Sequence, residues 1–298
     1  IGVPWGVDAI QNVGPLGFIS FPRLYSGELT LAKFVANAIL VLALVIAVAM
    51  NSRLKPWAVA LLIIPFSLFA FGDARSYFLL FALMADPPAD APRRLYATIR
   101  VVCFASLSLA KTTFAVPIVI FYALRIGVEL LRRDRNVAAV SEPLAYLAAV
   151  LGFWLVLGQD LSNIPHFIRG FAAFSSGYSQ TLLIYEPVLA GWLGLGISAL
   201  LALQLPTFAL RNTAERRLVL APSALPEVLA RLAIIFVVYK HSYVRGDEGH
   251  ILTLAYFAIC AAIVLWLESR GQSRLSVGPV PVTGAYVGAV TVVIIGLS

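Results

Sequence analysis

Residues 229–267 read LARLAIIFVVYKHSYVRGDEGHILTLAYFAICAAIVLWL, in which a polar stretch, residues 239–250, separates two hydrophobic runs. The stretch contains two histidines, two acidic and two basic residues, although only 12% of the chain is charged. Ionisable groups next to a bilayer are costly, and they often mark a substrate path, a catalytic centre or a lipid headgroup contact. The simpler interpretation is a solvated loop whose Lys and Arg side chains anchor the helix ends at the membrane interface.

The chain as a whole is strongly apolar. Its 298 residues are 60% hydrophobic, and the mean hydropathy is +0.90. Long apolar runs exclude a soluble globular domain and predict an all-α, polytopic transmembrane protein, because a helix satisfies its own backbone hydrogen bonds in lipid. The net charge of +7 comes from basic residues in short links between the runs, so it does not indicate nucleic-acid binding. Cys103 and Cys260 lie in apolar runs and are predicted to be buried free thiols.

The apolar runs predict about ten membrane spans in a single transmembrane domain, residues 1–298. Residues 1–32 are predicted to form an extracytoplasmic interfacial loop, and residues 33–298 a helical bundle with outer loops at 159–181 and 240–250. The predicted spans are residues 33–50, 56–71, 76–85, 95–110, 112–131, 143–158, 182–205, a segment that reaches 239 after Pro222 and Pro226, 251–267 and 280–297. Because the chain begins without Met and ends inside an apolar run, we expect a partial chain that lacks an earlier span.

Alternation of the spans assigns each link to one side of the membrane. The basic links all fall on the same side; they contain residues 53–55, 93–94, 132–135, 211–217 and 270–274. Short links rich in Lys and Arg face the cytoplasm, so this side is predicted to be cytoplasmic. The polar clusters then fall on the extracytoplasmic side of what we expect to be a bacterial inner membrane; they are residues 1–32, 73–75, 111, 159–181 and 240–250.

Four short motifs carry a resemblance to a known class of membrane enzymes: GVDAIQNVGPLGF at 6–18, Lys111 in SLAKTTF, SSGYSQTL at 175–182 and YVRGDEGH at 243–250. With its many closely linked helices, the chain resembles the GT-C class of glycosyltransferases, which use polyprenyl-phosphate sugars. The more local likeness is to bacterial GT-C-like membrane proteins of poorly defined substrate. The resemblance implies an inverting transfer of a hexose or pentose to an acceptor on the extracytoplasmic side.

The resemblance assigns the catalytic base to a carboxylate in the first extracytoplasmic loop, and Asp8 is the matching position. This carboxylate would deprotonate the acceptor hydroxyl, which then attacks the anomeric carbon of the lipid-linked sugar. Members of the class often have two adjacent acids there, whereas this chain has only Asp8 before Glu28. The alternative is that Asp8 caps a turn beside Gly6.

The leaving group, a lipid phosphate, indicates further candidate residues for substrate binding. Departing negative charge requires fixed cations at the membrane surface, and Lys111, Lys240 and Arg245 are the candidates. Arg245 is suited to hold two phosphate oxygens at once, whereas Lys111 has the alternative of snorkelling to the interface. His250 and His241 are candidates for binding phosphate or acceptor and for proton transfer, with a headgroup hydrogen bond as the alternative for His241.

The remaining candidates concern a metal ion and the sugar. Asp247 and Glu248 either bind a divalent cation or orient Arg245. Tyr178 and the aromatic residues of the 159–181 segment either stack on a sugar face or lie at the membrane interface. The chain has no Cys/His metal-ligand spacing, no P-loop and no GxGxxG turn, so no metal centre and no soluble cofactor are predicted. The predicted partners are membrane lipid and a polyprenyl-phosphate-linked sugar.

Other function classes remain open. A transporter or flippase of a lipid-linked or small polar substrate would place polar residues at mid-membrane. The spans are poor in such residues, with Pro65, Pro117 and Glu186 as the features that it could use, and no internal repeat is found. An O-antigen ligase-like or polymerase-like enzyme would share the lipid-linked sugar chemistry. A structural membrane subunit would need no catalytic residues. Asp73 and Arg75 either pair with each other or lie near the site.

Overall fold

The computed structural model describes residues 16, 29–52, 54–69, 73–87, 90–131, 137–181, 188–212, 218–220, 224–245 and 248–271. In this part of the chain the fold is helical, with one short 3-10 helix at Leu161–Asn163 and one small β-hairpin. The α-helices are α1 Leu29–Ser52, α2 Pro56–Phe69, α3 Ala74–Leu83, α4 Arg93–Ala110, α5 Thr112–Leu131, α6 Val137–Val156, α7 Ile164–Thr181, α8 Val188–Ala209, α9 Leu225–Arg245 and α10 Glu248–Gly271.

The helices group into two compact units. The first unit comprises Ile1–Leu40 and Arg94–Leu183, and the second comprises Val41–Arg93 and Ile184–Ser298. In the first unit, α5 packs on α6, and the 3-10 helix packs on α6 and α7. In the second unit, α3, α8, α9 and α10 pack together. The prediction that the chain acts as a single transmembrane domain stays a prediction.

The all-α class is confirmed, and every predicted span within the described residues overlaps a helix; the predicted span 280–297 lies outside them. Two helical segments, Phe34–Ser52 and Thr112–Leu131, are long and apolar enough to cross a membrane. A third is added if the bent pair Val140–Val156 and Leu161–Ala173 counts as one span. Shorter apolar helices are Ala74–Leu83, Gly194–Leu203 and Leu252–Glu268.

The segment 159–181, which was predicted to be a loop, is mostly helical. Its apolar residues Ile164, Phe167 and Phe171 recur at three- and four-residue intervals, which is the spacing of one helix face. Its Gly and Ser residues lower helix propensity but do not break the helix, because Ile164 and Phe167 pack against the cluster of Leu109 and Trp154.

The segment 240–250, also predicted to be an outer loop, is helical at all of its described residues. α9 continues to Arg245, and α10 begins at Glu248, so that Lys240 and His241 lie in the last turns of α9 and His250 lies in the first turn of α10. The basic link after α8 contains a hairpin in which β1, Leu210–Asn212, pairs with β2, Leu218–Leu220, in antiparallel register.

Candidate functional site

Lys111 occupies the break between α4 and α5 in the first unit. α4 ends at Ala110 and α5 begins at Thr112, and the Lys111 side chain is only 1% exposed. Its Nζ lies 6.0 Å from the centre of the Phe114 ring, within the range of a cation–π contact. The alternative interpretation, in which Lys111 snorkels to the interface, does not fit a side chain that is buried at the turn. A buried ammonium interacts strongly with anions, since the surrounding dielectric is low.

A backbone hydrogen bond ties the N-terminal segment to this turn. The Leu16 N–H donates to the Leu109 carbonyl oxygen at 3.0 Å, and the Leu16 side chain packs on the cluster of Leu109 and Trp154. Leu16 belongs to the motif at residues 6–18, and Leu109 belongs to the motif SLAKTTF. Two of the four motifs that carry the family resemblance are therefore in direct contact.

The turn between α6 and α7 lies beside the same cluster. Trp154 Nε1 donates to the Asp160 carbonyl oxygen at 2.8 Å, and the Trp154 and Phe167 rings are 5.4 Å apart. The Ser162 backbone N–H donates to Asp160 Oδ1 at 2.8 Å, and this hydrogen bond lowers the pKa of the Asp160 carboxyl. A carboxylate that caps a helical turn in this way is held in its charged form.

The second unit contains a carboxylate–imidazole pair at the end of α9. His241 Nε2 lies 3.5 Å from Asp73 Oδ2, and the His241 ring is 6.1 Å from the Tyr77 ring. Asp73 precedes α3 at the capping position, yet its carboxylate makes no capping hydrogen bond. It is 3% exposed and His241 is 13% exposed. The Asp73 carboxylate thus faces an imidazole on another helix and makes no capping hydrogen bond to its own helix.

Lys240 and Ser242 flank this histidine. Lys240 is exposed. Ser242 is fully buried, and its hydroxyl has no hydrogen-bond partner among the described residues. Sequence reasoning included Lys240 and His241 but missed their neighbour Asp73, which is 168 positions earlier and was expected either to pair with Arg75 or to lie near the site. The available signal was a single Asp at the start of an apolar helix.

The opposite end of the second unit holds a buried ion cluster that the sequence analysis did not identify. Arg231 Nη1 and Nη2 donate to the Glu268 carboxylate at 2.9 and 2.8 Å, and Nε donates to the Phe81 carbonyl oxygen at 3.1 Å. Arg231 also lies 3.2 Å from Glu227, one turn earlier on α9. Arg231 and Glu268 are 1% and 2% exposed. Arg231 lies inside a predicted span, whereas Glu268 directly follows the predicted span 251–267.

A similar cluster lies in the first unit. Arg100 Nε and Nη2 donate to the two Glu142 carboxylate oxygens at 2.6 and 2.8 Å. Tyr122 Oη and Arg125 Nη1 also donate to this carboxylate, each at 3.3 Å. The Arg100 guanidinium lies 5.2 Å from the Phe121 ring centre. Arg100 lies inside the predicted span 95–110, whereas Glu142 directly precedes the predicted span 143–158.

The other predicted site residues are positioned only by the backbone or lie outside the described region. Arg245 is the last residue of α9, His250 lies in the first turn of α10, and Tyr178 lies in the second half of α7. Asp8 and Asp247 lie outside the described residues. Within the part of the chain that the structure describes, no group of three or more His, Cys, Asp or Glu side chains is arranged to hold a metal ion.

No protein-family model, no curated protein and no solved structure matches this chain.

Proposed function

We propose that the chain is a membrane glycosyltransferase that moves a sugar, with inversion, from a polyprenyl phosphate to an acceptor at the extracytoplasmic surface. The proposal includes a GT-C-like architecture of about ten spans. The observation that carries it is the hydrogen bond from Leu16 to Leu109 beside buried Lys111. It joins two motifs that are far apart in the sequence and that both carry the resemblance.

In this proposal Lys111 binds the lipid phosphate of the donor. A buried ammonium group at a helix turn is fixed before the substrate arrives, so that it stabilises the departing phosphate without reorganisation. Its 1% exposure places it in a low-dielectric setting, where its attraction for an anion is strongest. The helix break that contains Lys111 supports this role, because backbone N–H groups at the start of α5 also favour an anion.

Asp8 is the proposed base. It lies eight residues before Leu16, so that an extended chain allows a separation of at most about 28 Å from Leu16, which contacts Leu109. A base that accepts the proton of the acceptor hydroxyl accelerates transfer by about 10²–10⁴-fold. Tyr178 is proposed to contact the sugar from α7, whose first turns pack beside the same cluster.

The test is sugar transfer in proteoliposomes with radiolabelled polyprenyl-phosphate sugars, with donor binding measured separately. We expect Asp8→Asn to retain donor binding and to lose about 10²–10⁴-fold in transfer rate. We expect Lys111→Met to lose donor binding and Lys111→Arg to retain part of it. Lys55→Met is the matched control, because Lys55 is exposed in a short link. If Lys111→Met binds donor and transfers sugar as the Lys55 control does, the proposed site is wrong.

A transporter of a lipid-linked or small polar substrate is the second candidate, and the buried ion clusters favour it. Ionisable groups inside membrane helices mark transport pathways in many proteins, and Arg100, Glu142, Arg231 and Glu268 are such groups. The same proteoliposomes discriminate the candidates. Donor flipping without sugar transfer supports the transporter, whereas transfer only from donors linked through a diphosphate supports a ligase-like enzyme.

A further inference from the structure

The outer surface of α6 shows how this helix meets lipid. Its exposed large hydrophobic residues recur at intervals of three and four, and they are Val140, Leu144, Leu147, Leu151 and Leu155. This spacing forms one continuous apolar stripe along the helix. The 20 residues of α6 extend over about 30 Å, the thickness of the hydrocarbon core of a bilayer. The length of α6 is therefore about equal to the thickness of the hydrocarbon core.

The turn after α6 is built to change direction sharply. Gly158 adopts a positive φ of 73°, and the Gln159 N–H donates back to the Trp154 carbonyl oxygen at 3.1 Å. A residue in this conformation ends a helix and satisfies its last carbonyl groups. The next helical segment leaves at 114° to α6. If α6 runs across the membrane, α7 runs close to the plane of its surface.

The three sides of α7 differ in a manner that suits this position. Ile164, Phe167 and Phe171 share the face that packs inward. The adjacent edge exposes Ile168, which is 59% exposed, and Ala172, four residues later. The far side exposes polar and small residues, which are His166, Arg169 and Ala173. An apolar edge between a packed face and a basic face is the pattern of a helix that lies in the headgroup region.

We propose that α7 is an in-plane membrane helix, with Ile168 and Ala172 in contact with the acyl chains and Arg169 at the level of the lipid phosphates. α7 contains no acidic residue, so that the anionic surface of a bilayer does not repel it. The apolar stripe of α6 reaches the turn at Leu155 and Val156, and Val156 is 85% exposed. The lipid contact of α6 therefore continues onto α7. The inference rests on the membrane location of α6 and not on glycosyl transfer.

Site-directed spin labelling in lipid nanodiscs tests the proposal. The background is Cys103→Ala with Cys260→Ala, and single cysteines are introduced at 166, 168, 169, 172 and 173 on α7. Accessibility to oxygen and to a polar nickel complex gives the depth of each label. Labels at 144, 147, 151 and 155 on α6 provide the depth scale, because a spanning helix changes depth by about 1.5 Å per residue.

For α7 we expect depth to follow the helix face and not the residue number. Labels at 168 and 172 lie at one depth below the headgroups, and labels at 166, 169 and 173 lie at the headgroups or in water. A steady change of about 10 Å between 166 and 173 would indicate a spanning or re-entrant helix and would overturn the proposal. Low access of both relaxing agents to the label at 168 would also overturn it, because a protein surface would then cover that edge.

The experiment is independent of the proposed enzyme activity. A wild-type protein that transfers no sugar but shows the face-dependent depth pattern contradicts the proposed function and leaves the in-plane helix supported. A protein that transfers sugar but shows the steady depth change contradicts only the in-plane helix. If the α6 labels show no depth gradient, the membrane location of α6, and the inference with it, is wrong.

Discussion

Removal of the Glu268 charge is expected to destabilise the fold more than removal of any exposed carboxylate. In Glu268→Gln, the side chain keeps its size and one hydrogen-bond acceptor but loses the charge that faces Arg231. The two Arg231 nitrogens lie 2.8 and 2.9 Å from Glu268, and both side chains are almost fully buried. Arg231 would then remain charged in the interior, where the Glu227 carboxylate lies 3.2 Å away.

The burial of the Arg231–Glu268 pair determines how much stability Glu268→Gln should lose. Loss of one member of a buried ion pair costs about 3–5 kcal/mol, because the remaining charge is left uncompensated. Glu227 compensates part of it, so we expect the lower end, about 3 kcal/mol. Glu227→Gln is the matched control. Its carboxylate is 19% exposed and one helical turn from Arg231, and pairs of this kind contribute about 0.3–1 kcal/mol. The double replacement Arg231→Met with Glu268→Leu is expected to cost less than Glu268→Gln alone, since no buried charge remains.

The assay is reversible unfolding of the purified protein by sodium dodecyl sulfate in mixed micelles, monitored by circular dichroism. The free energies of the single and double variants form a thermodynamic cycle, which isolates the coupling between the two side chains. A coupling below about 0.5 kcal/mol would refute the reasoning. Equal destabilisation by Glu268→Gln and Glu227→Gln would do the same, because burial would then not determine the cost.

Three further predictions follow from local geometry. Gly158→Ala should destabilise the protein by about 1–2 kcal/mol, because Gly158 has φ 73°. Gly152→Ala should instead stabilise it by about 0.5–1 kcal/mol in the same assay, because Gly152 lies in the middle of α6 and no atom lies within 4 Å of the new Cβ. Asp73→Ala and His241→Ala should be non-additive by at least about 0.5 kcal/mol in a double-mutant cycle, since the two side chains are 3.5 Å apart. Because the pKa of Asp160 is lowered, the stabilising effect of its carboxylate is present above the ordinary pKa of 3.8 and is lost as the pH falls through the lower pKa of the folded state. The Ser162 amide NMR signal should change over that acidic range in the wild type and should not change in Asp160→Asn.

The helices could be predicted from the sequence because their signal is local. Long apolar runs interrupted by charged or Pro-containing links predicted α5 at residues 112–131, the range that the structure gives. Segment 159–181 was predicted incorrectly because its composition is polar and rich in Gly and Ser. Its helical spacing of Ile164, Phe167 and Phe171 is stabilised by packing on Trp154, which is a tertiary contact that local composition does not contain.

The candidate site could be predicted only in part, for a related reason. Lys111 is conspicuous in the sequence because it is a single charge between two apolar runs, and the structure buries it. The partners of His241 and of Arg231 lie far away along the chain, so that neither Asp73 nor Glu268 could be assigned from spacing. The available signal for the Arg231–Glu268 pair was Arg231 alone, because a charge inside an apolar run needs a partner to be stable.

The positions of the ion clusters along their helices bear on the orientation in the membrane. In the first unit, Arg100 lies in the first half of α4, Arg125 near the end of α5 and Glu142 near the start of α6. Their contacts therefore join the helix ends that border the basic links, and Lys111 lies at the opposite ends of α4 and α5. Eleven residues of helix separate Arg100 from Lys111, which corresponds to about 16 Å along the axis. If the basic links face the cytoplasm, as proposed from the positive-inside rule, Lys111 and the Leu16 contact belong to the extracytoplasmic half of the membrane, where a lipid-linked donor would have to bind.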